Sequence, residues 1–221
     1  MTNNYKTMTI PVASNLPLLV GQTTAATIGN PGNAGVNPQI ALTTATGAAV
    51  TPLWDTTGNS GKGTITLPVT AADGTTVLGS MSMKVKVGGI RAVLVSGNGN
   101  VALQSTHTES GGTDLYGAVA QSPSAAGSLG LGSIAAAWNE ALGAYSANVL
   151  LAQLNTASGR TATYTHDNQQ LAFGFGNSAE YYAGTYGLGV AQGDNITVNF
   201  TNPVTNTTTW KTSLKATITY L

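Results

Sequence analysis

Few residues in this chain could do polar chemistry, and they are scattered. There are two histidines, His107 and His166, and no cysteine. The lack of cysteine removes a disulfide framework, a thiolate zinc site and a cysteine nucleophile together. His166-Asp167 is the best local pairing for a metal, and it falls short of the three or four ligands such a centre needs. Gly97-Asn98-Gly99-Asn100-Val101-Ala102 spells G-x-G-x-x-A after the apolar run Val93-Leu94-Val95. The polar Leu103–Gly112 stretch behind it is not a helix, so no helix N-terminus faces a pyrophosphate. Gly130-Leu131-Gly132-Ser133-Ile134-Ala135 opens a helix but follows a loop, and Gly61-Lys62-Gly63-Thr64 lacks the P-loop's spaced glycine and its Ser/Thr after the lysine. A Ser-His-Asp set drawn from distant positions has no G-x-S-x-G elbow to support it. We therefore expect no catalytic residues, no cofactor and no metal. Trp138, Tyr145, Tyr181, Tyr182, Tyr186 and Trp210 are the aromatic candidates for ligand contact, each more commonly a packing residue.

Composition closes off further classes. Eight cationic and eight anionic side chains in 221 residues give zero formal net charge. That balance argues against nucleic acid and against docking on anionic lipid. No apolar run reaches the roughly 20 residues of a spanning helix. Polarity comes from Thr, Asn, Ser, Gln and 28 Gly, which suits surfaces that stack side by side or bind neutral ligands. Met1–Tyr5 has neither the charged nor the apolar region of a signal peptide, so a secreted protein is expected here in processed form.

The elements are mainly strands. Met8, Ile10 and Val12 alternate with Thr7, Thr9 and Pro11, and a Gly/Pro/Asn loop over Gly29–Pro38 precedes a short strand at Ile40–Thr44. Thr64–Leu67 leads to the Asp73-Gly74 turn, followed by alternation at Met81, Met83, Val85 and Val87, with Ala92–Val95 as extension or next strand. Ile196, Val198, Phe200 and then Leu214, Ala216, Ile218, Tyr220 repeat the pattern near the end. Gly97–Gly132 reads as loop. Ser133 is the expected N-cap of a helix to Tyr145 with Ile134, Trp138, Leu142 and Tyr145 on one face. A second helix over Ser146–Leu154 presents Val149, Leu150 and Leu154. These patterns predict an all-β, antiparallel two-layer sandwich spanning 1–221 as one domain, with a small helical insertion over about 133–155.

Several segments carry a resemblance: Asn15–Thr23, Gly35–Leu42, Leu67–Thr75, Ala135–Glu140, Val190–Asp194, Thr209–Lys211 and Ala216–Tyr220. In order, from about residue 5 to 221, they resemble the FaeG-type major adhesive subunit of chaperone–usher fimbriae of enterotoxigenic enteric bacteria. The stretch 97–132 resembles the family least.

The resemblance implies an incomplete Ig-like sandwich whose missing strand is supplied in trans by the N-terminal extension of a neighbouring subunit. It implies an extracellular fimbrial protein that reaches the surface via the periplasm. Its partners would be neighbouring subunits, a periplasmic chaperone, an outer-membrane usher and host intestinal glycans. The groove for the donated strand is expected beside Met8, Ile10, Leu214, Ala216, Ile218 and Tyr220. A ligand site is expected at His107, Asp114, Tyr116, Trp138 and Tyr145. Two features depart from the pattern. The first core strand begins near Tyr5, which leaves no donor extension before it, and position 208, fourteenth from the end, is threonine where the wider class has glycine. A purely structural or minor pilin, and more distantly an unrelated carbohydrate-active or capsid-like sandwich, remain the alternatives.

Overall fold

The computed structural model describes residues 4–31, 38–55, 60–95, 97, 99–107, 129–171 and 175–220. In chain order the elements are β1 (Thr7–Pro11), β2 (Leu16–Gln22), β3 (Thr27–Ile28), β4 (Pro38–Thr44), β5 (Leu53–Trp54), β6 (Lys62–Ala71), β7 (Val77–Leu94) and β8 (Asn100–His107). They continue with α1 (Gly132–Ala141), α2 (Ala147–Ser158), β9 (Thr163–Leu171), β10 (Tyr181–Val190), β11 (Asn195–Phe200), β12 (Trp210–Lys211) and β13 (Leu214–Tyr220).

The 18-residue β7 is the spine, joining into one strand the two segments whose sequence left extension or new strand open. Along one of its edges run β6 and then β8; along the other run β11 and then β10. Outside these, β1 pairs β11 and β2 pairs β10, so β1 and β2 together form one long interrupted edge. Side chains alternate across β7. Met81, Met83, Val85 and Val87 enter the main core with Ile65, Leu67, Val69, Leu188 and Val198. A two-stranded sheet of β4 and β13 contributes Ile40 and Leu42 to that core, which makes the second layer of the sandwich.

On the opposite face Ile90, Ala92 and Leu94 form a second cluster under the helices, with Trp138, Leu142, Leu150 and Leu154. The helical insertion thus packs on the sheet and has no core of its own. Close approach needs missing side chains: a Cβ on Gly88 or Gly187 would lie 2.7 or 2.5 Å from Asn139 Oδ1. Asn139 is buried and donates to Thr185 Oγ1 at 3.0 Å.

Several sequence expectations are corrected here. The Gly97–Gly132 stretch is not all loop, because β8 occupies Asn100–His107. The sandwich is not wholly antiparallel, since β8 and β9 pair in parallel; the helices lie in the long connection that such a pair requires. α1 ends at Ala141, short of Tyr145, and Ser133 is not its N-cap. Leu131 occupies that position without a side-chain cap, and Asp167 of β9 accepts the Ser133 N–H at 2.9 Å instead, placing a carboxylate at the helix's positive end. The buried face is Ala135, Trp138, Asn139 and Leu142, while Ile134 is half exposed. In α2, Ser146 is the N-cap, and Leu150 and Leu154 are buried as expected, but Val149 faces outward.

The turn between β6 and β7 is held by Asp73. Its Oδ1 accepts the N–H groups of Thr75 and Thr76 at 2.8 and 3.0 Å, and its Oδ2 accepts the Thr76 hydroxyl at 2.6 Å. These bonds, the Thr76 hydroxyl foremost, favour the ionised form and hold the carboxyl at about 2, below its usual 3.8. A depressed folded-state pKa stabilises the turn above the ordinary value, and the contribution is lost as pH falls through about 2. Carboxyl NMR should therefore find the Asp73 midpoint near 2, and a midpoint near 3.8 would show that the turn does not hold it.

Candidate functional site

The site emerges from the pairing of β13 with β4. Ile218 lies opposite Ile40, Ala216 opposite Leu42, and Leu214 opposite Thr44. Directly paired residues project to the same face, and on β4 that face is buried: Ile40 and Leu42 are 8% and 5% exposed. The β13 partners therefore point toward the core layer. Even so, Ile218 is 46% exposed and Tyr220 63%. Their side chains face inward with nothing described in front of them.

Between this strand and the β2 edge lies a cleft of about 380 Å³. Leu19 and Gly21 line one wall, Pro38, Ile40, Ile218 and Tyr220 the other, with Phe175 and Tyr186 also contributing. Gln22 to Ala25 complete the lining. No carboxylate, ammonium or guanidinium is among these residues, so the cleft offers apolar contact, a few neutral polar groups and backbone. Among the described residues β1 and β2 pair only on their inner edges, and β13 pairs only with β4. Two strand edges with free backbone groups therefore border apolar surface, the geometry that accepts an added strand.

The six expected groove residues distribute as follows. Ile218 and Tyr220 line the cleft itself. Leu214 and Ala216 continue the same strand, and Leu214 is half-buried against the main core. Met8 and Ile10 lie on β1, the stretch of edge preceding β2, opposite core-facing Val198 and Ile196. Sequence reasoning missed Leu19, Gly21 and Phe175, and had Tyr186 only as an aromatic candidate for ligand contact, not as a groove residue. Leu19 had a readable signal in the apolar Leu16–Val20 run; Phe175 and Tyr186 reach the cleft only through folding.

Of the five ligand candidates, Trp138 and Tyr145 have described side chains. Trp138 is 6% exposed, donates its indole N–H to Gly187 O at 3.3 Å, and carries the Lys86 ammonium 4.7 Å from its ring centroid. It is a packing residue. Tyr145, 37% exposed, follows α1, and its backbone N–H donates to Gln22 Oε1 at 2.8 Å. His107 ends β8, with its side chain outside the described residues, as are Asp114 and Tyr116 altogether.

Several polar groups elsewhere have structural partners. Arg91 Nε and Nη2 donate to Gln104 Oε1 at 3.0 and 2.8 Å; burial pulls the guanidinium pKa down, opposed by Tyr182 and Glu180. Tyr182 donates to Glu180 Oε2 at 2.7 Å, and burial together with that bond raises its pKa. His166 Nδ1 shares a 2.9 Å hydrogen bond with the Thr165 hydroxyl. No group of three or more potential metal ligands occurs among the described residues, and no helix there is long and apolar enough to cross a membrane.

The sandwich thus carries an apolar cleft between the edges of β2 and β13. The family described as "Fimbrial, major and minor subunit", of K88 type, matches residues 1–221. The chain belongs to this fimbrial subunit family. It is 33% identical to K88 fimbrial protein AB of Escherichia coli, over all of this chain and 78% of the relative. It is 31% identical to K88 fimbrial proteins AC and AD of the same organism, again over its whole length and 77% and 78% of theirs. As a K88-type fimbrial subunit the chain is a surface protein that acts in contact with other subunits.

Proposed function

We propose that this fimbrial subunit assembles by donor-strand complementation, accepting in its cleft a strand from a neighbouring subunit after release from a periplasmic chaperone at the outer-membrane usher. The observation that carries this reading is β13, whose core-directed side chains Ala216, Ile218 and Tyr220 stand exposed. A strand added along its free edge satisfies backbone donors and acceptors, and burying four or five apolar side chains contributes roughly 1.5–3 kcal/mol each before ordering costs. The role on this reading is architectural. Complementation by a free donor peptide tests it: amides along the outer edges of β1, β2 and β13 become protected from hydrogen exchange on binding. Unchanged protection rules the cleft out as the acceptor.

The subunit is also proposed to bind host intestinal glycans through the region around His107, Asp114, Tyr116 and Tyr145. Burial of Trp138 removes the aromatic platform from that set, leaving Tyr116 and Tyr145 to stack on a sugar. Alanine at Asp114 and Tyr116 together should abolish adhesion to intestinal glycans with the fold intact; full adhesion by the double variant returns the subunit to a purely structural or minor role.

A further inference from the structure

Beyond the helices, the rest of the same face of the main sheet carries an ordered polar array. Thr66, Ser82, Thr197 and Thr9 sit directly opposite one another across β6, β7, β11 and β1, forming a row of hydroxyls four strands wide. One step along the strands Lys84 lies opposite Thr64, and one step further Lys86 lies opposite Lys62. Lys84 and Lys86 are two residues apart on one strand, about 7 Å, and Lys62 and Lys86 are cross-strand neighbours about 5 Å apart at Cβ. Three of the chain's eight basic residues therefore converge on one spot.

Like charges directly opposite in a sheet destabilise it, so this arrangement calls for a compensating charge. Asp194 attracts Lys86, and Asp55 follows the β5 register beside Lys62, but none of the three lysines forms an ion pair among the described residues. Positive charge stays in excess. Lys86 is half-buried over the Trp138 ring, and burial together with Lys62 pulls its ammonium toward the neutral form. An arriving anion would relieve both penalties. Beside the lysines lies a shallow depression of about 410 Å³ lined by Thr64, Ser82, Lys84, Asp194, Asn195 and Thr197, dense in neutral donors and acceptors.

We propose that this face is a recognition site for an acidic saccharide: Lys62, Lys84 and Lys86 take its carboxylate or sulfate, and the hydroxyl and amide groups of the depression take its ring hydroxyls. The site is separate from the residues around Tyr145 and stands or falls independently of both donor-strand assembly and glycan binding there.

The test is calorimetric titration of the full chain with three probes: a chondroitin sulfate hexasaccharide, sialyllactose and lactose. A sulfated or sialylated probe, or both, should bind at least about tenfold more tightly than lactose, and the advantage should shrink as salt rises from about 0.05 to about 0.5 M. Which acidic probe binds tells sulfate from carboxylate. The Lys62→Gln/Lys84→Gln double variant should lose about tenfold in affinity with its melting temperature unchanged, while Lys211→Gln/Lys215→Gln should bind as the parent does. If the double variant unfolds early, Lys84→Gln alone, at the exposed end of the patch, gives the same reading. Equal binding of acidic and neutral probes, no binding of any, or an equal loss in the control pair overturns the proposal.

Discussion

A ten-residue peptide with alternating apolar side chains, added at about a hundred times its dissociation constant, raises the melting temperature of this subunit by about 5–10 °C. At that excess, a ligand that binds only the folded state contributes about 2.7 kcal/mol, and a domain of this size gains about 2–4 °C per kcal/mol. The expectation rests on the cleft between β2 and β13, where Ile218 and Tyr220 point inward at 46% and 63% exposure and strand edges are free on both sides. Ile218→Asp supplies the control. The position is half open in the free chain, so the substitution costs little before the peptide arrives. Once a strand covers it, the carboxylate is buried without a partner, and the thermal gain should vanish. If wild-type protein gains nothing across the titration, the cleft does not take a strand and assembly must use another surface.

Trp138→Ala lowers stability by about 3–5 kcal/mol, the usual range for removing a buried aromatic residue, which for a domain of this size is a melting temperature lower by roughly 6–20 °C. Trp138 fills the contact between α1 and the sheet beside Leu142, donates to Gly187 O, and receives Lys86 on its ring. Truncation removes all three interactions and leaves a cavity next to Gly88 and Gly187, which have no side chains to collapse into it. Tyr145→Ala, at a position 37% exposed, should change stability by less than about 1 kcal/mol. Thermal melts of the two variants separate a packing role from a surface role. A Trp138→Ala protein as stable as the parent would place the indole outside the core.

How much of this was readable in the sequence depends on which faces are buried. Where one face of a strand meets the core and the other meets water, the alternation is written in residue types. β6, the first half of β7 and β11 were recognisable for that reason, and β1 and β13 by the same alternation of residue types although they are mostly exposed. β10 was not: nine of its ten residues are buried, so Gly, Ala and Thr appear where polar residues would otherwise mark the outer face. β8 was hidden in the same way. Its Val101 and Leu103 lie under the helices and Ser105 and Thr106 are buried, so a strand covered on both sides read as a Gly/Ser-rich loop.

The helices show the other limit. Spacing alone placed Ile134 and Tyr145 on the buried side, because a 3.6-residue period marks an apolar stripe but not where the helix stops. Gly143, at φ +98°, turns the chain before Tyr145, and Asp167, distant in sequence, caps the helix start. The sequence by itself determined the all-β class, the place of the helical insertion, and the apolar alternation of β13. These follow from residue type and local period, which need no partner to be read. Only the tertiary structure shows that Trp138 is buried against the sheet, that three lysines share one face, and that β13 turns its apolar side toward a cleft. Those depend on which strand lies beside which, whether the strands are consecutive, as β6 and β7 are, or lie near opposite ends of the chain, as β4 and β13 do.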